Sequence, residues 1–335
     1  MRPNMSKRER MEATLRGQET DRPPWSLWRH FYDGETTAEG LAESMLWVQS
    51  TYQFDFLKVN PRAQYHVEDW GVRFRYSPDP HQKPQLIEVP VRQSSDWTRI
   101  APLRPEQGSL GEQLRALQLI KQGLKGDVPF VETIFSPLSI AGDLVTRDAD
   151  LVNDLRQNPR LVHQALDVIS ETFVRFARAC LNVGVDGIFF ATTTWATRNT
   201  LTPAEYAEFG RPYDLRVLEA IADAPFNVLH VCQENSLMLE LGDYPVRALS
   251  WAATSPTNPG LGDVLQKIPE KAVVGGLSGE ALTADDTGQA LAEVSRARDA
   301  TGGRQWILGP NCSIPTRSRD QVIRAVARAI GVELP

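Results

Sequence analysis

Cysteine is scarce in this 335-residue chain: there are three, at 180, 232 and 312. Three do not make a disulfide framework, so the sequence points to a reducing compartment, the cytoplasm. Runs of about 18 apolar residues are missing, which argues against a membrane-spanning helix. The amino terminus, Met1-Arg2-Pro3-Asn4-Met5-Ser6-Lys7-Arg8-Glu9-Arg10, is charged and lacks the apolar stretch of a signal peptide. Positive charge is not in excess. The 36 Lys and Arg against 42 Asp and Glu give a net charge of −6, which argues against a nucleic-acid surface. There is no low-complexity run and no linker-like stretch, so the chain reads as one domain over residues 1–335.

What is present is an alternation of short apolar runs with longer amphipathic ones. Strands are expected at 25–28, 54–59, 129–134, 187–192, 226–231, 248–252, 272–277 and 306–308. Helices are expected at 6–15, 36–52, 112–124, 160–183, 203–222, 234–242, 260–267, 284–300 and 318–331. Ser6 with Glu9 three residues on forms a capping-box signature for the first helix. Strand–helix alternation implies a parallel sheet, and the strands are apolar almost throughout, as when both faces are covered. The first strand is followed by Arg29-His30-Phe31-Tyr32 rather than a glycine-rich fingerprint, which disfavours a doubly wound dinucleotide fold. A single (β/α)8 TIM barrel is the expected fold. Segments 71–76 and 85–91 alternate in polarity around a Pro/Asp turn, so a β-hairpin insertion is expected after the second strand.

Two of the three cysteines occur in short segments directly after expected strands: His230-Val231-Cys232 and Gly309-Pro310-Asn311-Cys312. One imidazole and two thiolates suit Zn2+, and three protein ligands leave a coordination position open, as in a catalytic site. Barrel active sites form at the C-terminal ends of the strands, where both segments fall. The competing reading is two buried cysteines and a core histidine. Cys180, inside an amphipathic helix, reads as core packing.

Several segments carry a family resemblance. Lys7-Arg8-Glu9-Arg10, Leu15-Arg16-Gly17, Asp21-Arg22-Pro23-Pro24 and Leu201-Thr202-Pro203-Ala204-Glu205-Tyr206 with Phe209 and Pro212-Tyr213 resemble the uroporphyrinogen decarboxylase superfamily. The closing Ile307-Leu308-Gly309-Pro310-Asn311-Cys312-Ser313-Ile314-Pro315 is similar to the branch holding the zinc-dependent corrinoid:coenzyme M methyltransferases. The His-x-Cys and distant Cys also resemble the zinc motif of cobalamin-independent methionine synthase. That enzyme's added glutamate has no counterpart in Ser250-Trp251-Ala252-Ala253-Thr254. The resemblance to the decarboxylase itself is weaker. Its second first-loop arginine falls at Asp33, and the loop 58–66 has no carboxylate for pyrrole nitrogens. Its tyrosine falls near Gly142-Asp143 and its final histidine near Pro310. Basic residues for a porphyrinogen cleft are few: Arg29, Lys58, Arg62 and Arg198.

The resemblance implies a methyltransferase that activates a small thiol as a zinc thiolate. The methyl comes from a corrinoid, presented by a partner protein, or from a related donor. Two alternatives stand beside it: a decarboxylase of a porphyrinogen or other carboxylated substrate, and a non-catalytic metal-binding partner of a corrinoid protein. Glu234, two residues past Cys232, and Arg29 are candidate catalytic residues. Arg29 and His30 are candidates for an anionic substrate group, His66 for a residue over the mouth, and Thr193 for a hydroxyl donor.

Overall fold

Helix initiation follows the sequence signature at the start of the chain. The Ser6 hydroxyl accepts from the Glu9 N–H, and the Glu9 carboxylate accepts from the Ser6 N–H, which opens α1 (Lys7–Leu15). The computed structural model describes residues 4–62 and 64–335. The strands are β1 (Leu57–Val59), β2 (Arg73–Arg75), β3 (Gln85–Glu88), β4 (Phe130–Phe135), β5 (Gly187–Ala191), β6 (Val228–Val231), β7 (Ala248–Trp251), β8 (Ala272–Leu277) and β9 (Trp306–Pro310). The remaining helices are α2 (Ala38–Tyr52), α3 (Gly108–Leu124), α4 (Pro137–Asp143), α5 (Asp148–Gln157), α6 (Pro159–Val183), α7 (Pro203–Phe209) and α8 (Arg211–Glu219). They continue with α9 (Leu261–Lys267), α10 (Gly279–Thr283), α11 (Gly288–Thr301) and α12 (Asp320–Ala329).

Seven strands form one parallel sheet in the order β1-β4-β5-β6-β7-β8-β9, and β2 pairs antiparallel with β3 apart from it. The sheet is curled. Phe56, Val131, Phe189, Val228, Ala248, Val274 and Ile307, one from each strand or its approach, meet in a single cluster with Trp28 and Met11. The alternate strand residues pack outward against the helices in a second, larger core. This two-sided burial explains the absence of polar alternation along the strands.

The structure departs from several expectations. Among the described residues seven strands join the sheet, where eight were expected. Residues 25–28 make one bridge, Trp25 to Leu308. The Ser26 N–H donates to the Leu308 carbonyl, and the Asp55 N–H to the Trp25 carbonyl, so this segment stands between β9 and the approach to β1. It does not extend into a ladder because Pro23 and Pro24 have no N–H, and the Trp25 N–H goes to Asp55 Oδ2 at 3.0 Å. The helix expected at 234–242 is a run of turns. Gln233 and Asn235 are left-handed (φ 71° and 51°), and the Asn235 and Ser236 N–H groups donate to Thr257 Oγ1 and Asn258 Oδ1 instead of starting a helix. The helix expected at 203–222 divides at Gly210 into α7 and α8, next to Pro212. Helices α4, α5 and α10 lie where no helix was expected.

Helix α1 closes the N-terminal end of the sheet. Its Met11 joins the inner cluster, and its Arg10 meets Asp21 at 2.7 Å and Asp55 at 2.6 Å. Arg22 reaches the same Asp55 at 2.7 Å. Asp55 is fully buried and holds Arg10, Arg22 and the Trp25 N–H, so removing it leaves the buried Arg10 with Asp21 alone and the Trp25 N–H without its acceptor. Asp55→Ala is expected to destabilise the fold by about 3–5 kcal/mol. Denaturant unfolding checks this, and an unchanged midpoint contradicts the role given to the network.

Candidate metal and thiol site

Strands β6 and β9 are separated in the sheet by β7 and β8, yet their C-terminal ends converge. His230 lies on β6 and Cys232 in the turn after it, and Cys312 follows β9. The Cys232 and Cys312 sulfurs are 3.5 Å apart. With a ring nitrogen of His230 they form a group whose ligand atoms all lie within 4.8 Å of one another. Each part is fixed locally. The Asn258 side chain donates to the Gln233 and Ala252 carbonyls and accepts from the Ser236 N–H, which clamps the turn holding Cys232. Asn311 exchanges hydrogen bonds with Thr254 at 2.6 and 3.3 Å, which fixes the loop holding Cys312.

His230 is oriented through Nδ1, 3.0 Å from Ser250 Oγ, and its ring stacks on Phe189 at 5.1 Å. Its Nε2 is buried and has no hydrogen-bond partner among the described residues. A buried nitrogen held ready beside two sulfurs fits an ion rather than a packing role. The Cys312 thiol is held well below its ordinary range. The main cause is the hydrogen bond from Cys232, helped by the nearby His230 ring. The same hydrogen bond and burial push Cys232 up. The two sulfurs therefore share a proton as a pair.

The Uroporphyrinogen decarboxylase (URO-D) family model matches residues 6–331. The chain belongs to the uroporphyrinogen decarboxylase family. A uroporphyrinogen decarboxylase from Nocardia farcinica is 29% identical over 150 residues, 43% of this chain and 41% of that protein. The methylcobamide:CoM methyltransferase MtaA of Methanosarcina barkeri is 22% identical over 171 residues, 51% of this chain and 49% of that protein. The chain thus spans about half the length, or less, of these curated relatives. In structure it is similar to a methyltransferase from Methanosarcina mazei, with a TM-score of 0.81, 20% identity, and coverage of 97% of this chain and 98% of that one. A B12-independent methionine synthase from Shewanella sp. W3-18-1 superposes with a TM-score of 0.61 at 12% identity, covering 92% and 94% of the two chains. At these identities both likenesses concern the fold.

The other expected residues of this family member lie around the mouth but outside the three-ligand group. Glu234 is exposed, just past the left-handed Gln233. Arg29 donates to the Thr316 carbonyl at 2.7 Å and lies over the Phe31 ring. His30 Nδ1 is 3.0 Å from Glu35 Oε1, and its ring stacks on Tyr32. His30, Tyr32, Ser313, Thr316 and Arg317 line a cavity of about 1010 Å3 beside the loop of Cys312. His66 is buried, its Nε2 2.8 Å from Asp143 Oδ2, and Thr193 Oγ1 donates to Ser139 Oγ at 2.8 Å. Helix α4 carries both of those partners. Cys180 is buried in α6 and its thiol is pushed well up by burial, as befits packing. Sequence reasoning gave no site role to Lys58, which points into the inner cluster. A lysine amid the apolar run Phe54-Asp55-Phe56-Leu57-Lys58-Val59 was the available signal.

A depressed thiol is thiolate at neutral pH, and a raised one is not. In metal-free protein at pH 7, the Cys232–Cys312 pair should take up one iodoacetamide at least roughly tenfold faster than Cys180. Capture at the pair should persist as the pH falls below the ordinary thiol range. Peptide mapping of the alkylated sites checks this, and equal labelling of all three cysteines contradicts it.

Proposed function

We propose that this chain is a zinc-dependent methyltransferase acting on a small thiol, the methyl coming from a corrinoid held by a partner protein or from a related donor. The observation that carries the reading is the buried, unpartnered Nε2 of His230 facing two sulfurs 3.5 Å apart at the end of the sheet. Zinc, when bound, supplies a Lewis acid that lowers the pKa of an acceptor thiol, so that its sulfur is nucleophilic at neutral pH. His230, Cys232 and Cys312 would hold it, leaving one position for the thiol. Ser250 sets the ring of His230, while Asn258 and Thr254 fix the two loops, so the site is arranged before substrate arrives.

Around that centre, Arg29 and His30 receive an anionic group of the substrate, and the cavity beside the Cys312 loop accommodates it. Glu234 at the exposed rim takes up the thiol proton. His66 and Thr193, both tied to α4, shape the opposite wall. The whole chain acts as one barrel domain, with residues 25–28 in the eighth strand position and the β2–β3 hairpin inserted into it. Two cysteines this close that must stay reduced to hold a metal favour the cytoplasm.

Protein purified without chelator should carry one Zn2+ per chain. Cys312→Ala should lose most of it, while Cys180→Ala should keep it. Elemental analysis decides this, and full zinc retention in Cys312→Ala contradicts the ligand set.

The curated uroporphyrinogen decarboxylases favour a second reading, decarboxylation of a porphyrinogen. The chemistry of Asp33 and of the 58–66 loop runs against it. Incubation with uroporphyrinogen should give no prompt accumulation of coproporphyrin, whereas methylcobalamin with a panel of thiols should give a methyl thioether. The opposite pair of results would favour the decarboxylase.

A further inference from the structure

Lys58, in the middle of β1, is 5% exposed, and its side chain enters the inner cluster. Its Nζ donates to Asn60 Oδ1 at 2.5 Å and lies 4.8 Å from the Phe189 ring centroid and 5.7 Å from that of Trp28. A buried ammonium ordinarily has an anionic partner. The nearby carboxylates direct their hydrogen bonds to other groups. Both Glu132 oxygens accept from Gln113 Nε2, and Glu35 binds His30 and the Phe31 N–H. The negative charges of Cys312, Glu132 and Glu35 favour its charged form. Burial lowers its pKa to about 8, which leaves it charged at neutral pH.

Two contacts tie this lysine to the sulfur site. Asn60 Oδ1, its hydrogen-bond acceptor, also receives Ser313 Oγ at 3.4 Å, directly after Cys312. Phe189, whose face it covers, stacks on His230. Lys58, Phe189, His230 and Cys312 therefore form one continuous wall of the mouth.

We propose that Lys58 is a positioning residue of the thiol site: its ammonium supplies the positive charge that lets the sulfur-rich centre accept the acceptor thiol as its thiolate. The assignment rests on the metal reading above. Two thiolates and a neutral imidazole around a divalent cation carry no net charge. A third sulfur, its proton passed by way of Glu234 to solvent, adds one negative charge to the site. Lys58 offsets that charge from within the wall.

The test uses wild-type, Lys58→Met and Lys58→Arg chains loaded with Co2+, whose visible spectrum reports sulfur ligation, and titrated with 2-mercaptoethanol at pH 7. Met keeps the apolar stem, and replacing a buried charge by an apolar group of similar volume does not oppose folding. All three chains should take up one Co2+. Lys58→Met should bind the thiol roughly tenfold or more weakly, as loss of a charge at this depth requires. Lys58→Arg should stay within about threefold of wild type, because it keeps the charge. If Lys58→Arg does not fold, the comparison of wild type with Lys58→Met decides alone. A Lys58→Met chain that binds Co2+ and thiol as tightly as wild type overturns this assignment and leaves the metal centre standing. A wild-type chain that takes up no Co2+ overturns the metal centre and this assignment with it.

Discussion

Everything proposed for this protein depends on two sulfurs, 80 residues apart in sequence, being held 3.5 Å from each other by strands that are not neighbours. No local segment can do this. The positions of β6 and β9 are set by the ladders through β7 and β8, whose registers run Val228↔Ala248, Ala248↔Ala272 and Val273↔Trp306. Curling of the sheet then turns the strand ends toward one point. Two asparagines, Asn258 and Asn311, convert strand position into loop position. Each uses its amide as both donor and acceptor to pin a ligand-bearing segment to the β7 connection. The cost of ordering the site is thus met by the fold before any ligand arrives.

The two ends of the sheet separate stability from chemistry. At the N-terminal end, Arg10, Arg22, Asp21 and Asp55 form a closed network in which the buried charges have opposite partners. Toward the C-terminal end, charges and donors are left open. His230 Nε2 has no partner, Cys232 and Cys312 share a proton, and Lys58 rests on an amide oxygen and two ring faces. Incomplete satisfaction of buried polar groups is expensive in a structural core. At this end, where the strands of such folds carry their active sites, these open groups are what the proposed site is built from.

Much of this could be read from the sequence, and what could not has identifiable causes. The strand runs were legible because two-sided burial leaves continuous apolar stretches, as in Ile188-Phe189-Phe190. The His230, Cys232 and Cys312 group was legible because scarce soft ligands fell immediately after two such runs. The turn at 233–236 was not. Its left-handed residues are a Gln and an Asn rather than Gly, and their conformation depends on Thr257 and Asn258 from a later connection. The incomplete first strand was missed because the acceptor that captures the Trp25 N–H is a side chain 30 residues away. Lys58 was visible only as a basic residue. Its meaning depends on what faces it across the inner cluster, which no local pattern encodes.

The central claim is that the three converging side chains hold a thiol-accepting zinc. X-ray absorption at the zinc edge, on protein purified without chelator and then with excess 2-mercaptoethanol added, tests it most directly. The account predicts two sulfurs near 2.3 Å and one imidazole nitrogen near 2.0–2.1 Å, with a third sulfur gained on addition of thiol. A shell of nitrogen and oxygen alone, or one that does not change with thiol, would contradict it.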